Sequence, residues 1–522
     1  MIESNARRGT RTPRLLVPLL LIALAAAAAG CAVGPNYVKP ATAVAPEFAG
    51  GEGGPYSTED AQAGFWTQFG DATLDRLVDE ALAANHDLRI ALGHLVEARA
   101  ARRQAQFDLA PTVTAAGGYT RERLSAVESP TLAPFDAHLY DAGFDAFWEL
   151  DLFGRVRRNV EAQSAELQSA EAGLRDAQVS VTAEVARTYF ELRGEQLQLA
   201  VARGNVDNER QTLELTGARL EAGSGTELDT SRAQAQLSTT LATIGPLEAA
   251  VARSIHRLSV LTGREPNALT GELGAPRELP DLPRITAIGD PAGLLRRRPD
   301  IRVAERELAA SNARVGVAIG DLFPKVTFNG SFSYSAAETN ALGNSASRGY
   351  VVGPSISWAA FDLGRVRAEV AGARARSDVA LATYEQTVLR ALEETEDALV
   401  THARTRESLK DAADAAQASL KAAQLARTRY QGGVVDFLAV LDAERTQLAA
   451  EDRLARSRTD AATSLIAVYK SLGGGWEMTP LPRQVHQAGG YALDSPAFSR
   501  LRRTAARRRP PGGPGGAPGA PP

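Results

Sequence analysis

The residue types that could carry chemistry are few, and their spacing argues against most of it. Asp141, Asp145, Glu149 and Asp151 come closest to a paired-carboxylate site, in which one acid gives a proton and another takes one. On a strand of period two, however, they fall along one face as a solvated stripe, and no catalysis is expected of them. His86, His94, His138, His256, His402 and His486 are scattered, with no pair at helical metal-ligand spacing and a single cysteine in the chain to help them. No metal and no cofactor is therefore expected. The sequence has no phosphate-cradling Gly-Lys-Ser/Thr loop, so energy for any transport must come from a partner.

Cys31 is the one residue whose position promises a modification. Arg7, Arg8, Arg11 and Arg14 precede an apolar run from Leu15 to Ala29, which is too short for a membrane span and reads as an export signal over residues 1–30. Ala28-Ala29-Gly30-Cys31 resembles the lipoprotein cleavage box, in which the cysteine becomes the lipidated first residue; a covalent lipid on Cys31 is the expectation. Ala32, in place of an acidic residue, implies by the same resemblance sorting to the outer membrane. The 522 residues carry a net charge of −4, and with residues 1–30 set aside 54 basic residues face 61 acidic ones. That balance gives no footprint for nucleic acid.

The elements that must position any site come in two copies. At an offset of 213, Asp87-Leu88-Arg89 matches Asp300-Ile301-Arg302, Asp108-Leu109 matches Asp321-Leu322, and Pro111-Thr112-Val113-Thr114 matches Pro324-Lys325-Val326-Thr327. At an offset of 210, Trp148 matches Trp358, Gly154-Arg155-Val156-Arg157 matches Gly364-Arg365-Val366-Arg367, and Gly223 matches Gly433. Each copy reads as a helix, two strands, a very long helix, a tight turn and a return helix. The boundaries drawn are 31–70 for an N-terminal anchored segment, 71–265 for the first repeat, 266–292 for a Pro/Gly-rich linker, 293–473 for the second repeat, and 474–522 for a segment ending in an Arg/Pro/Gly tail of disordered composition.

In Pro324 to Ser335, Val326, Phe328, Phe332 and Tyr334 alternate with polar residues, and Tyr140, Ala142, Phe144, Ala146, Trp148 and Leu150 alternate with the carboxylates. An aromatic face backed by a polar one suits a transmembrane barrel with a wet lumen. Four strands cannot close such a barrel, so the chain must oligomerise; two copies give about eight strands and three about twelve, of which the larger leaves a channel. Arg155 to Glu221 lacks proline and carries Val160, Leu167, Leu174 and Val181, then Val185, Leu192, Leu199, Val206, Leu213 and Leu220, a coiled-coil seam. Glycines at Ala222-Gly223-Ser224-Gly225 and Gly432-Gly433 turn each long helix back on itself, and Pro246 is expected to kink the first return helix.

These residues resemble the TolC-like outer-membrane channels, specifically the lipoprotein subunits of resistance-nodulation-division (RND) pumps in the NodT-like branch. The resemblance rests on Cys31-Ala32-Val33-Gly34-Pro35-Asn36-Tyr37, on Trp66 with Phe69-Gly70-Asp71, on Arg298-Pro299-Asp300-Ile301 with Glu305 and Gly316, and on Arg429-Tyr430-Gln431-Gly432-Gly433 with Asp436 and Leu441-Asp442-Ala443. It implies a mixed α and β fold: a homotrimer with a twelve-stranded β-barrel in the outer membrane and a coiled-coil α-helical barrel in the periplasm. It also implies a periplasmic adaptor protein and an inner-membrane RND-type transporter as partners, outer-membrane lipid around the barrel, and small molecules as cargo. By the same resemblance Leu438, Asp442 and Tyr430 are gate residues, and the tips at Gly223, Gly225, Gly432 and Gly433 dock the adaptor. A duct for secreted proteins and a non-conducting coiled-coil lipoprotein stay open as alternatives.

Overall fold

A computed structural model describes residues 32–59, 63–127 and 133–476. Cys31, the expected signal segment over residues 1–30 and the basic tail lie outside the described residues. In chain order the elements are β1 (Tyr56–Ser57), α1 (Ala72–Ala84), α2 (His86–Phe107), β2 (Thr112–Leu124), β3 (Phe135–Leu150), α3 (Arg155–Glu221) and α4 (Glu227–Leu261). There follow α5 (Thr270–Leu273), β4 (Thr286–Ala287), α6 (Pro291–Arg297), α7 (Pro299–Gly320), β5 (Lys325–Ala336), β6 (Arg348–Ser357), α8 (Leu363–Gln431) and α9 (Phe437–Ser471).

The helix before each hairpin is split where sequence reading had it whole. Asn85 is extended and its side chain accepts from the amides of Asp87 and Leu88, so it caps α2 and ends α1. In the second copy Arg298 is extended because Pro299 follows it. α3 and α8 run 67 and 69 residues without interruption, about 100 Å each. α4 continues through Pro246.

The largest core cluster forms where the middle of α3 meets α1, α4 and α9. Phe65 stacks on Tyr469 at 4.7 Å, and Phe69 meets Phe190 edge-on at 4.8 Å. Of the seam residues, Leu167, Leu174, Val181, Val185, Leu192 and Val206 are buried, Leu199 and Leu213 are half-buried, and Leu220 is exposed. The seam thus loosens toward the tip, where a single chain supplies fewer neighbours. α8 leaves Val379, Leu389, Val400 and Leu425 exposed along its length.

His402 of α8 is fully buried, with Nδ1 3.1 Å from Ser464 Oγ. Burial, aided by the nearby charge of Arg406, pushes its pKa down to about 4 from 6.5. The folded chain keeps this imidazole neutral while the unfolded chain protonates it, so stability held above pH 6.5 is lost as the pH falls to about 4. The expected loss is about 3 kcal/mol, read as a falling unfolding midpoint between those pH values that flattens in His402→Gln.

β2, β3, β5 and β6 form one antiparallel sheet in that order. Its register puts Tyr140 opposite Tyr119 and Ala336, Phe144 opposite Ala115 and Phe332, Trp148 opposite Phe328, and Phe332 opposite Tyr350. Residues directly opposite share a face, so one face gathers the aromatic and aliphatic side chains and the other gathers Thr114, Asp141, Asp145, Thr327, Ser331 and Ser355. The apolar face is bare: Phe144 is 57% exposed and Tyr350 76%. Both edges, β2 and β6, carry no partner strand among the described residues.

The internal repeat is visible in the hydrogen bonds. Trp148 donates to the carbonyl of Leu109 at 3.1 Å, and its counterpart Trp358 donates to that of Leu322, the counterpart of Leu109, at 3.0 Å. The expectation of a continuous solvated carboxylate stripe needs correction. Asp141 and Asp145 stay on the polar face, but Glu149 binds Arg155 at 2.5 Å, and Asp151, beyond the strand, accepts from the amides of Val156 and Arg157. Those amides open α3 and have no intrahelical acceptor, which is why a carboxylate is drawn there. Phe147 also breaks the alternation, sitting opposite Thr112 on the polar face.

Candidate functional site

The far ends of the two long hairpins lie together and hold every residue expected at a gate. Gly223 and Gly433 have φ of 73° and 71°, a left-handed conformation that strains any residue with a Cβ. Each allows the same helix end: Ser224 N donates to Arg219 O and Gly223 N to Leu220 O, while Val434 N donates to Arg429 O and Gly433 N to Tyr430 O, all at 2.9 Å. Gly225 is needed for a different reason, since a Cβ there would stand 2.9 Å from the amide of Leu220. Gly432 has φ of −76°, and a Cβ there would make only ordinary van der Waals contacts, the nearest 3.6 Å from Thr428 O. Gly223→Ala and Gly433→Ala are expected to cost about 1 kcal/mol each, lowering amide protection in the tips about fivefold in hydrogen exchange, whereas Gly432→Ala leaves it unchanged.

Tyr430 is buried within the tip. Its ring meets Phe437 at 5.8 Å, the guanidinium of Arg219 lies 4.3 Å above it, and Arg219 donates to its carbonyl at 3.0 Å. α3 and α8 are thereby joined inside one chain. Leu438 and Asp442 behave otherwise. Leu438 is 52% exposed, Asp442 is exposed, and one helical turn apart they share a face of α9. The carboxylate of Asp442 has no ion pair among the described residues. Asp436 caps this helix by accepting from Ala439 N at 3.1 Å.

Behind the tip lies a buried polar ladder that sequence reasoning missed. Glu444 accepts from Thr212 at 2.8 Å and Arg427 at 2.7 Å; Glu209 accepts from Gln236 at 3.0 Å and Thr240 at 2.9 Å; Arg445 donates to Gln236 at 2.7 Å. Burial, followed by the charge of Glu444, raises the Glu209 pKa against the opposing bonds from Gln236 and Thr240. The signal was present as Asn205, Glu209, Thr212 and Thr216, a polar stripe at helical spacing beside Val206 and Leu213.

The N-terminal arm next to Cys31 is also built in. Arg158, buried near the start of α3, donates to the carbonyls of Val33 and Gly34 at 3.0 and 3.2 Å and to Asn36 Oδ1 at 2.8 Å. Tyr37 donates to Glu305 at 2.8 Å, and burial pushes the phenol pKa upward. Further on, Glu396 accepts from the amides of Ala49 and Gly50 at 3.0 and 2.6 Å. Arg298 ties α7 to α8 and α9 through Asp300, Glu394 and the carbonyl of Ser471. The motifs around Cys31 and Arg298 therefore act as joints between elements.

A family model described as outer membrane efflux protein matches residues 77–264 and 291–474, one segment for each structural copy. The outer membrane protein OprJ of Pseudomonas aeruginosa is 34% identical over 473 residues, covering 90% of this chain and 97% of that protein. Nodulation protein T of Rhizobium leguminosarum bv. trifolii is 31% identical over 454 residues, covering 86% of this chain and 95% of that protein. Among solved structures, the outer-membrane channel OprN superposes with a TM-score of 0.80 at 45% identity, covering 86% of this chain and all of that one.

Proposed function

Starting from the fact that this chain belongs to the outer membrane efflux protein family and is the outer-membrane channel of a tripartite efflux pump, we propose that three copies close one pore. The family is one of channels rather than enzymes. The observation that carries the reading is the open sheet, bare on an apolar face and, among the described residues, unpaired at both edges. Three copies bring about twelve strands edge to edge, the apolar face to lipid and the polar face to water. Trp148 and Trp358 near the helical rim and Tyr119 and Tyr140 toward the other make two aromatic girdles roughly 25 Å apart along the strand, the height of a hydrocarbon band.

The long hairpins form the periplasmic helical barrel, with the exposed rows of α8 packed on neighbouring copies. A lipid on Cys31 anchors the arm that Arg158 holds. At the tips, Leu438 and Asp442 face the three-fold axis as the constriction. The Tyr430 hydroxyl, which makes no hydrogen bond among the described residues, reaches a neighbouring copy. The turns at Gly223, Gly225, Gly432 and Gly433 receive the adaptor, which links the channel to an RND-type transporter. Detergent-purified protein is expected to have the mass of a trimer and to conduct in planar bilayers; a monomer without a pore sinks this reading.

A further inference from the structure

The helices α2, α3, α7 and α8 adjoin the sheet at one rim, and the strand ends at Leu124, Phe135, Ala336 and Arg348 lie at the other. At that far rim the apolar face does not end in neutral residues. Arg121 and Arg123 of β2 stand opposite His138 and Asp136 of β3, and Arg348 opens β6 opposite Tyr334, all continuing the face that carries Tyr119 and Tyr140. Asp136 lies 3.7 Å from Arg121 and 3.6 Å from Arg123, so two guanidiniums share one carboxylate at separations longer than a bonded ion pair. Arg348 has no ion pair among the described residues. Beside these cations, the Tyr119 hydroxyl lies 2.8 Å from His138 Nδ1 with the rings 20° from parallel, and Tyr119 meets Tyr140 at 4.7 Å and 31°, giving an aromatic platform.

Arginine on a lipid-facing surface is costly in hydrocarbon and is tolerated at headgroup depth. There its planar fork matches phosphate oxygens two at a time. With the helices in the periplasm, the far rim meets the outer leaflet. We propose that Arg121, Arg123 and Arg348 form a phosphate-binding rim that holds the phosphorylated glycolipid of the outer leaflet, its sugar rings lying on Tyr119, Tyr140 and His138. The aromatic platform favours a glycolipid over a simple anionic phospholipid, because a sugar face packs on a ring and a glycerol does not. This rim rests on the barrel reading above.

The test uses full-length trimer, stripped of lipid in detergent and titrated with bis-phosphorylated lipid A, its dephosphorylated form, or phosphatidylglycerol, with binding read by native mass spectrometry. Wild type is expected to bind the bis-phosphorylated glycolipid at roughly tenfold lower concentration than R121Q/R123Q/R348Q does, and to lose that advantage with the dephosphorylated lipid or in high salt. Equal binding by wild type and the triple variant overturns the rim, and equal binding of phosphatidylglycerol overturns its assignment to a glycolipid. Conductance of the same samples separates the two readings. If both proteins conduct and bind lipid alike, the rim alone falls; if wild type forms no pore, the barrel falls and takes the rim with it.

Discussion

Asp442→Ala is expected to raise resting conductance several-fold and to reduce preference for cations. The carboxylate is exposed on α9, without an ion pair among the described residues, one turn from a half-exposed Leu438. Three symmetry copies would place like charges around a narrow axis, an arrangement that concentrates cations and is stable only when neighbouring groups hold each carboxylate. In the proposed constriction, removing it would delete both the charge and the volume that narrow the pore. Asp442→Asn separates these, because the amide keeps the volume: cation preference should fall while conductance changes far less. Conductance and selectivity that match wild type across pH and salt in both variants would take Asp442 out of the constriction.

Why this face of α9 is available while its opposite face is locked follows from the polar ladder. Glu444, two residues beyond Asp442, is buried and bonded to Thr212 of α3 and Arg427 of α8. A buried carboxylate with strong donors has one favourable orientation, since any rotation of α9 would strand it without partners. The ladder therefore fixes which residues of α9 look outward, and those are Leu438 and Asp442.

Much of this architecture was legible because its signals were long. α3 begins and ends at Arg155 and Glu221, where sequence reading put it, because 67 residues lack proline and a left-handed glycine closes the run. The sheet was legible because a polar–apolar alternation of ten or more residues has no helical interpretation. What escaped depends on single side chains that meet across large sequence distances. Asn85 ends a helix by capping the next one, and its amide nitrogen also donates to the carbonyl of Leu261, a contact no local pattern announces. Asp151 looked like one more strand carboxylate until the strand stopped at Leu150 and its side chain met the first amides of α3. Leu438 and Asp442 have no local signature at all. Resemblance alone proposes them as gate residues, their spacing puts them on one face, and the structure adds that both are exposed.

Arg158→Ala is expected to cost about 3–5 kcal/mol and to release the N-terminal arm. This guanidinium is buried, and its donors satisfy the carbonyls of Val33 and Gly34, the side chain of Asn36 and, at 2.8 Å, Glu161. Space for it is made by glycine: a Cβ on Gly316 would stand 2.9 Å from the Arg158 side chain, and one on Gly34, whose φ is 93°, would stand 2.5 Å from Gly316 Cα. Truncation would leave several acceptors in a crevice too tight to rehydrate them all. Arg158→Lys should recover only part of the loss, because an ammonium cannot fork across carbonyls that lie in different directions. The measurements are the unfolding midpoint and the rate at which a protease cuts residues 32–50. An arm that stays protected in Arg158→Ala would show that the joint lies elsewhere. The consequence would reach the lipid proposed on Cys31, since Val33 N donates to Phe153 O at 3.0 Å and so pins the residues from Ala32 onward to the start of α3, directly beneath the sheet. In the proposed barrel a lipid attached there would enter the membrane at the rim where strands become helices; with the arm released, the same lipid would tether the channel through a slack chain and no longer set its depth.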